Sequence, residues 1–497
     1  MTYFKSSAAI LALGCLAVPA SADVTGKDVW NDFQKTAEAN GYRFSTAPRI
    51  VGQDVLFGPV NIEFELPTNQ TEFVASFDKL EFVSQADGTV DILMPAKVPF
   101  SMSLPDAGLD QTIELEGSQQ FDGLSIEVSG APDDMTYRYA ATSTSVELGY
   151  DVATEAGFEL NFGLEGLSGN TSVQQGAVQT SNMEIAQLTY QMKSSNPDEG
   201  FGIIGTYSDA VIASLGSFGG SIGMIDPITA IKNGLATSAV YSFGKSATNI
   251  TVMDNGSPFN WTSSSTSSEM RSSTNKNGMM FNVTANGFDA NATIPNFPVP
   301  LQLSANRLGV GGMYPLLASP DAQKFDTRIE ISEAQLDEQV WSMFDPTGAL
   351  PRDPINLNLD IYGTAILNVD LIQQDPEQFA AMSEQGLGTV ESLNVNNLAL
   401  SLLGAELSGV AQFVLDNSDL ETWDGFPSPE GSADLKLTGL NRAIESLIAA
   451  GLLQQEQAMM PRMMLGMFAR PVGEDAYETD VKMDAQGGLR VNGQRLR

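Results

Sequence analysis

Residues 59–67, PVNIEFELP, determine the fold class because apolar and polar side chains alternate along them. A period of two is typical of a β-strand with one buried and one solvated face. The same period recurs in residues 355–361, INLNLDI, and in residues 477–484, YETDVKMD. Short turn signals such as Asp87-Gly88 and Gly487-Gly488 separate such stretches. We therefore predict a β-dominated α+β fold, in which extended, curved antiparallel sheets of hairpins carry a few packed amphipathic helices.

Helical periodicity interrupts this pattern at a few places. Residues 27–40 place Val29 and Trp30 on one face and predict the first helix. Ser332 and Gln335 form a capping-box pattern, and Asp375-Pro376 is a favourable start for another helix. The later helices are predicted near residues 333–343, 376–385, 440–450 and 460–469.

The first residues have the features of a secretory signal peptide. Lys5 precedes a short apolar run, residues 8–17, and small residues end at Ala22. The run is too short to cross a bilayer as a helix. Cleavage after Ala22 would remove Cys15, the only cysteine. We expect residues 1–22 to be a signal peptide and the protein to be secreted, with the periplasm as the favoured compartment and no transmembrane helix in the mature chain.

A change in composition suggests a division of the remaining chain. Residues 201–244 are rich in Gly and Ser and poor in charge. We predict that they form an apolar crossover, buried or lining a groove, between an N-terminal β-rich half (residues 23–200) and a C-terminal β-rich half (residues 245–497).

The two halves also contain one internal match. Residues 157–172, GFELNFGLEGLSGNTS, align without a gap on residues 278–293, GMMFNVTANGFDANAT, so that Gly166 falls on Gly287. The match indicates either a strand–turn–strand unit used once in each half or a chance similarity of hairpins.

Charge and composition exclude several classes of function. The chain has 25 basic and 61 acidic residues, a net charge of −36, and no histidine. The negative charge argues against nucleic acid as a partner and against docking on anionic lipid headgroups by charge. Without histidine, the G-x-S-x-G match at residues 219–223 lacks the base that a serine nucleophile needs. We expect no enzymatic activity, no cofactor and no metal site.

Residues 458–471, AMMPRMMLGMFARP, carry closely spaced methionines. Core packing is the favoured interpretation, because flexible thioethers fill irregular apolar space. Two alternatives are a surface for an apolar ligand or partner and a Cu(I) site. A pocket that joins them to Ile203 and Met224 would favour ligand binding. The candidate lining residues for an apolar ligand are Met459, Met460, Met463, Met464, Met467 and Phe468.

Three stretches carry a family resemblance: residues 341–354, WSMFDPTGALPRDP, residues 439–453, GLNRAIESLIAAGLL, and residues 487–497, GGLRVNGQRLR. The chain resembles a family of secreted alphaproteobacterial proteins called domain of unknown function 2125, which offers no catalytic residues to carry over. Its repeated strands are also similar to AsmA-like envelope proteins, and that resemblance implies curved sheets that handle lipids.

Two functional hypotheses follow from the sequence. In the first, a non-catalytic envelope protein binds or chaperones a lipid or another apolar ligand. In the second, a structural or interaction protein with a packed core meets a partner through an acidic face. The sequence names neither the ligand nor a protein partner.

Overall fold

Antiparallel strands dominate the chain, as the period-two pattern predicts. The structure, a computed structural model, describes residues 23–39, 41–66, 71–105, 112–150, 157–174, 178–194, 199–217, 227–254, 256–372 and 386–497. The predicted signal peptide, the helix predicted near residues 376–385 and the G-x-S-x-G match lie outside the described residues. The helices within these ranges are α1 Gly26–Ala39, α2 Pro227–Lys232, α3 Glu338–Phe344, α4 Leu440–Ala449 and α5 Gln455–Phe468.

The strands have the following bounds: β1 Tyr42–Phe44, β2 Arg49–Val51, β3 Asp54–Phe57, β4 Val60–Leu66, β5 Thr71–Phe77, β6 Leu80–Ser84, β7 Val90–Leu93, β8 Lys97–Pro105, β9 Thr112–Asp122, β10 Ser125–Ala131, β11 Asp134–Tyr150, β12 Phe158–Gln174, β13 Val178–Ser194, β14 Phe201–Ser217, β15 Ala236–Phe243, β16 Ser246–Asp254, β17 Ser257–Ser265, β18 Ser267–Asn275, β19 Gly278–Thr293, β20 Leu301–Tyr314, β21 Gln323–Leu336, β22 Ile355–Leu367, β23 Gly388–Leu402, β24 Ala405–Asp416, β25 Ser428–Thr438, β26 Arg470–Gly473, β27 Ala476–Met483, β28 Leu489–Val491 and β29 Gln494–Arg495.

These strands belong to one 29-stranded sheet, and from β11 onward most of them pair with their neighbours in sequence. The β-dominated α+β prediction is confirmed. The predicted crossover at residues 201–244 is wrong, because β14 and β15 are full members of the sheet. β14 pairs with β13 on one side and with β15 and β16 on the other. The low charge and the many Gly and Ser residues of this segment suggested a connector. Its backbone instead forms hydrogen bonds with the neighbouring strands, which hold it in an extended conformation.

Two predicted helices begin at other positions. The helix expected at 333–343 begins only at Glu338, because Ala334 and Leu336 continue the alternation of β21 and pair into the sheet. Asp337 caps it instead, accepting a hydrogen bond from the Gln339 amide at 2.7 Å. The helix expected at 460–469 is α5, which begins earlier, so that Pro461 lies inside it. The helix expected at 440–450 corresponds closely to α4.

The most deeply buried cluster lies at the N-terminal end of the sheet, beneath α1. Val29 and Trp30 face this cluster, as the helical periodicity predicts. The Trp30 ring meets Phe57 and Phe82 with ring centroids 4.9 and 5.6 Å apart. Aromatic burial of this kind supplies both apolar area and edge-to-face contacts. The N-terminal end is therefore the well-packed part of the fold.

A line of interrupted pairing, which we call the crease, crosses the sheet from β9 to β21. Ladder pairs keep the same register on both sides of it and omit one pair at the line itself, or two pairs between β20 and β21. Several crease residues have positive φ, including Gly166 at 62°, Asp209 at 51° and Glu333 at 51°. The crease consists of Gly123, Thr142, Gly166, Ala186, Asp209, Gly244, Thr266, Gly287, Asn306 and Glu333.

The crease coincides with a slip in the apolar alternation of the sequence. In β12 the even-numbered residues from Phe158 to Leu164 are apolar, and the next apolar residue is Leu167. A slip of one residue would send all later side chains to the opposite face of a regular strand. Ala186 and Gln187 of β13 are accordingly both exposed, although neighbours in a regular strand alternate. The crease thus keeps apolar side chains on one face along the whole strand.

The internal match of the sequence lies on this line. Its two copies are β12 and β19, and the aligned Gly166 and Gly287 both have positive φ, 62° and 55°. Each copy is one continuous strand and not a strand–turn–strand unit. The shared crossing of the crease accounts for the aligned glycines.

Asp345 ends α3 and is almost fully buried, with 1% of its surface exposed. Its carboxylate accepts hydrogen bonds from the Arg352 guanidinium at 2.6 Å and from the Leu350 and Ala349 amides at 2.8 and 2.9 Å. Burial raises the pKa of Asp345, but these bonds outweigh burial and lower the pKa to about 2. Arg352 also lies over the Trp341 ring, 4.6 Å from its centroid.

We predict that Gly166→Ala destabilises the protein more than Gly52→Ala. Both glycines have φ of 62°, so each alanine bears the left-handed cost of about 1–2 kcal/mol. At Gly166 the new methyl group would also lie 2.9 Å from the Ala186 Cβ, whereas Gly52 has open space. We expect Gly166→Ala to lower the free energy of unfolding about twice as much as Gly52→Ala, as urea titration would measure. Equal losses would show that the crease tolerates a methyl group.

We predict that Asp345→Asn lowers the thermal midpoint by several degrees at pH 6 and by less at lower pH. The folded pKa, about 2, lies below the ordinary 3.8, so the ionised carboxylate stabilises the fold above about pH 4. That contribution is lost as the pH falls through 2. Thermal unfolding of both proteins between pH 6 and 3 measures the difference.

Glu338→Gln is the control for this experiment. Glu338 bonds to the same Arg352 at 3.4 Å but is exposed, so its loss should change the midpoint little at any pH. If the thermal midpoints of the wild type and Asp345→Asn differ by the same amount at every pH from 6 to 3, the prediction is wrong.

Candidate functional site: the apolar face of the sheet

One face of the sheet, which we call the apolar face, presents hydrophobic side chains from β10 to β27. A single row of directly opposed residues shows this best, because cross-strand partners point to the same side. At a spacing of about 4.8 Å per strand, the row extends for about 65 Å along the sheet. The row is Ile126, Tyr139, Gly169, Met183, Ile212, Tyr241, Met270, Val283, Val310, Ile329, Leu359, Leu398, Gly409, Leu435 and Thr479.

The apolar face continues on the other side of the crease. A second row there contains only hydrophobic residues. In a regular strand these residues would point to the face opposite the first row, because an odd number of positions separates the two rows along each strand that belongs to both. Its members are Leu148, Leu160, Met192, Ile203, Ile250, Trp261, Ala292 and Leu301. The crease is thus what joins the two rows into one surface.

The opposite face, the polar face, has a different composition. Its row next to the first apolar row is mostly polar and contains four glutamates. The row is Ala140, Ser168, Glu184, Val211, Ser242, Glu269, Thr284, Gly309, Glu330, Asn358, Ala399, Ser408, Lys436 and Glu478. A groove of about 870 Å³ opens mainly on this face, and most of its lining consists of hydroxyl and amide side chains such as Asn249, Thr262 and Gln302. Such a lining suits water or a polar ligand rather than a hydrocarbon.

The centre of the apolar face is exposed. Met270, Val283 and Val310 are neighbours in one row and expose 37%, 38% and 45% of their surfaces. Contiguous exposed hydrophobic surface of this kind marks binding sites in soluble proteins. These residues were not predicted from the sequence, although Phe281 and Val283 alternate with the polar Asn282 and Thr284. The site predicted from the sequence was the methionine cluster instead.

Helix α1 bounds the apolar face at its N-terminal end. The Tyr137 hydroxyl, on a strand of that face, donates a hydrogen bond to Asp32 of α1 at 3.3 Å. Burial, followed by the charge of Asp32, raises the pKa of Tyr137. Burial also raises the pKa of Asp32. The helix and the sheet thus meet through a partly buried polar contact beside the aromatic core.

Helices α4 and α5 bound the other end. Asn441 of α4 donates a hydrogen bond to the Tyr477 hydroxyl at 2.7 Å. Thr479, the last residue of the long apolar row, donates to the Phe468 carbonyl oxygen at the end of α5 at 3.0 Å. Both Tyr477 and Thr479 point to the apolar side of β27. The apolar face therefore ends beside the methionine helix.

The methionines themselves face solvent. Their exposed fractions lie between 51% and 68%, so the favoured interpretation of core packing is wrong. The inward side of α5 carries Ala458, which is fully buried, and the half-buried Leu465 and Phe468. Ile203 lies on β14, far from α5 in strand order, and Met224 is outside the described residues. Among the described residues, therefore, no pocket joins Ile203 to the methionines, which is the arrangement that would have favoured ligand binding at α5. The exposed residues are Met459, Met460, Met463, Met464 and Met467.

Within the described ranges, no group of three or more Cys, Asp or Glu side chains is placed to hold a metal ion. In the same part of the chain, no helix is both long and apolar enough to cross a membrane.

Comparisons with known proteins add little. No family model matches the chain, and no curated protein matches it. Among solved structures, the ferric citrate transporter FecA in the unliganded form is similar at 7% identity, with a TM-score of 0.16. The match covers 92% of this chain and 76% of that chain. A likeness of this size carries no argument about fold or function.

Proposed function

We propose that this protein is a non-catalytic binding protein that holds the acyl chain of a lipid, or a similar apolar ligand, along its apolar face. The observation that supports the proposal is the continuous apolar row from β10 to β27, whose centre at Met270, Val283 and Val310 is exposed. Secretion to the periplasm, as the sequence of the first residues indicates, belongs to the same proposal.

The dimensions of the face suit hydrocarbon. One acyl chain is about 15 Å long, half of the roughly 30 Å hydrocarbon core of a bilayer. The apolar row is about four times longer, so a chain centred on the exposed Met270, Val283 and Val310 lies over the apolar row along its whole length. Each methylene group removed from water contributes about 0.8 kcal/mol, and a chain need contact only part of the row for useful affinity.

The main alternative is a structural or interaction protein that meets a partner through its acidic polar face. In that case the exposed apolar side chains would bind no lipid, and changes to the polar face would reduce partner binding. The two functions therefore differ in which face of the sheet is sensitive to substitution.

We predict that Val310→Asp weakens binding of a fluorescent fatty acid by at least tenfold. The new carboxylate would lie in the centre of the apolar face, where a bound chain would take it out of water at a cost above 1.4 kcal/mol. Fluorescence titration of the purified protein with cis-parinaric acid measures the affinity.

Val211→Asp is the matched control. Val211 is exposed to nearly the same extent as Val310, 46% against 45%, but it lies on the polar face between Glu184 and Ser242. Its substitution should leave fatty acid affinity within about twofold. Equal losses in the two variants, or no binding by the wild type, would reject lipid binding along this face. Native mass spectrometry of the protein from its own cells would then show whether a lipid accompanies it.

A further inference from the structure

We propose that α5 is a membrane-docking helix, whose methionines insert among the lipids of a bilayer surface. The proposal rests on the proposed function only for its purpose, the exchange of a lipid between a membrane and the apolar face.

The five methionines form one stripe. At 100° per residue, Met459, Met463, Met467, Met460 and Met464 fall within an arc of about 140° of the helix surface. Ala458 and Leu465 lie on the opposite side, toward the protein. Glu456, in the first turn, falls within the same arc, so the apolar stripe begins at Met459. A helix that presents such a stripe to solvent can lie in the plane of a membrane interface, with the stripe among the acyl chains. Unbranched thioethers adapt to such irregular surroundings.

Several contacts fix the helix with its methionines outward. The Gln454 amide donates to Gln457 Oε1 at 3.0 Å at the start of the helix. Arg462 forms an ion pair with Glu445 of α4. At the other end, Thr479 and Asn492 both donate to the Phe468 carbonyl oxygen at 3.0 Å. The stripe is therefore displayed by a folded, anchored helix.

Local charge removes the repulsion that the whole chain would feel at a lipid surface. The net charge is −36, yet residues 440–497 contain equal numbers of basic and acidic side chains. The exposed Arg470 and Arg442 belong to this region, where they pair with Glu478 and Asp475. Docking through this region depends on apolar insertion and needs no anionic headgroups.

The position of α5 connects docking to the apolar face. Its last residue, Phe468, is bonded to Thr479, the final member of the long apolar row. An acyl chain that leaves the bilayer beside this helix would therefore meet Leu435, the next residue of the row. This continuity favours a lipid surface over a second protein as the occupant of the stripe.

The test is flotation of the full-length mature protein with phosphatidylcholine vesicles, with and without phosphatidylglycerol. We expect the wild type to float with both, and the bound fractions to differ by less than about threefold. The variant Met463→Ser/Met464→Ser/Met467→Ser should lose at least tenfold in vesicle binding. The three residues are more than half exposed, so the fold should persist, as circular dichroism would show.

Ile204→Ser/Val211→Ser/Leu215→Ser is the matched control, because these β14 residues are similarly exposed and apolar but lie on the polar face. It should float like the wild type. Cis-parinaric acid binding separates the two proposals: Val310→Asp should lose it and still float, whereas the methionine variant should keep it and not float. Equal flotation of the methionine variant and the wild type, or no flotation of the wild type, would overturn membrane docking. Two other results would also overturn membrane docking. If the wild type does not bind vesicles but forms a dimer that the methionine variant does not form, the stripe is a dimer contact. If the wild type instead binds Cu(I) and the methionine variant does not, the stripe is a copper site.

Discussion

The need to keep apolar side chains on one face of long strands underlies the rest of this structure. Strands such as β12 and β13 have 17 residues each, and their apolar alternation slips by one near the middle. Left-handed backbone at Gly166 and Asp209 absorbs the slip, and residues on the intervening strands lose their ladder pair at the same line. Because every strand from β11 to β21 either crosses this line or ends beside it, the slip produces one surface instead of two half-faces.

That surface differs from an ordinary core. At the N-terminal end, α1 covers it and buries Trp30 and Phe82 almost completely. In the centre, Val283 and Val310 remain more than a third exposed. A sheet with one dry and one wet face is usual, but its dry face is normally covered by a second layer. The exposed centre is the observation on which the proposal of a hydrocarbon ligand rests.

The contact between the methionine helix and the apolar face supports a common ligand for both surfaces. An exposed thioether stripe alone could meet many partners, and an exposed sheet face alone could be a site of oligomerisation. The hydrogen bond between Thr479 and Phe468 places the helix at the end of the face. Asn441 and Tyr477 do the same for α4, and α1 lies at the opposite end of the face. In the proposed exchange, a lipid that leaves a bilayer would pass α5 before it reaches the apolar row.

The sequence by itself determined the β-dominated class, α1 with its buried Val29 and Trp30, and the position of α4, because local periodicity controls each of them. It also contained the slip of alternation at Leu164 and Leu167, which can be read without a structure. Only the tertiary structure decided that residues 201–217 are a strand, that Leu336 pairs before α3 begins, and that the methionines face solvent. Burial depends on which elements pack together, and composition carries no record of that. The sequence of an apolar helix is therefore the same whether the helix lies in the core or on the surface. The sequence of a Gly-rich segment is likewise the same in a connector and in a sheet.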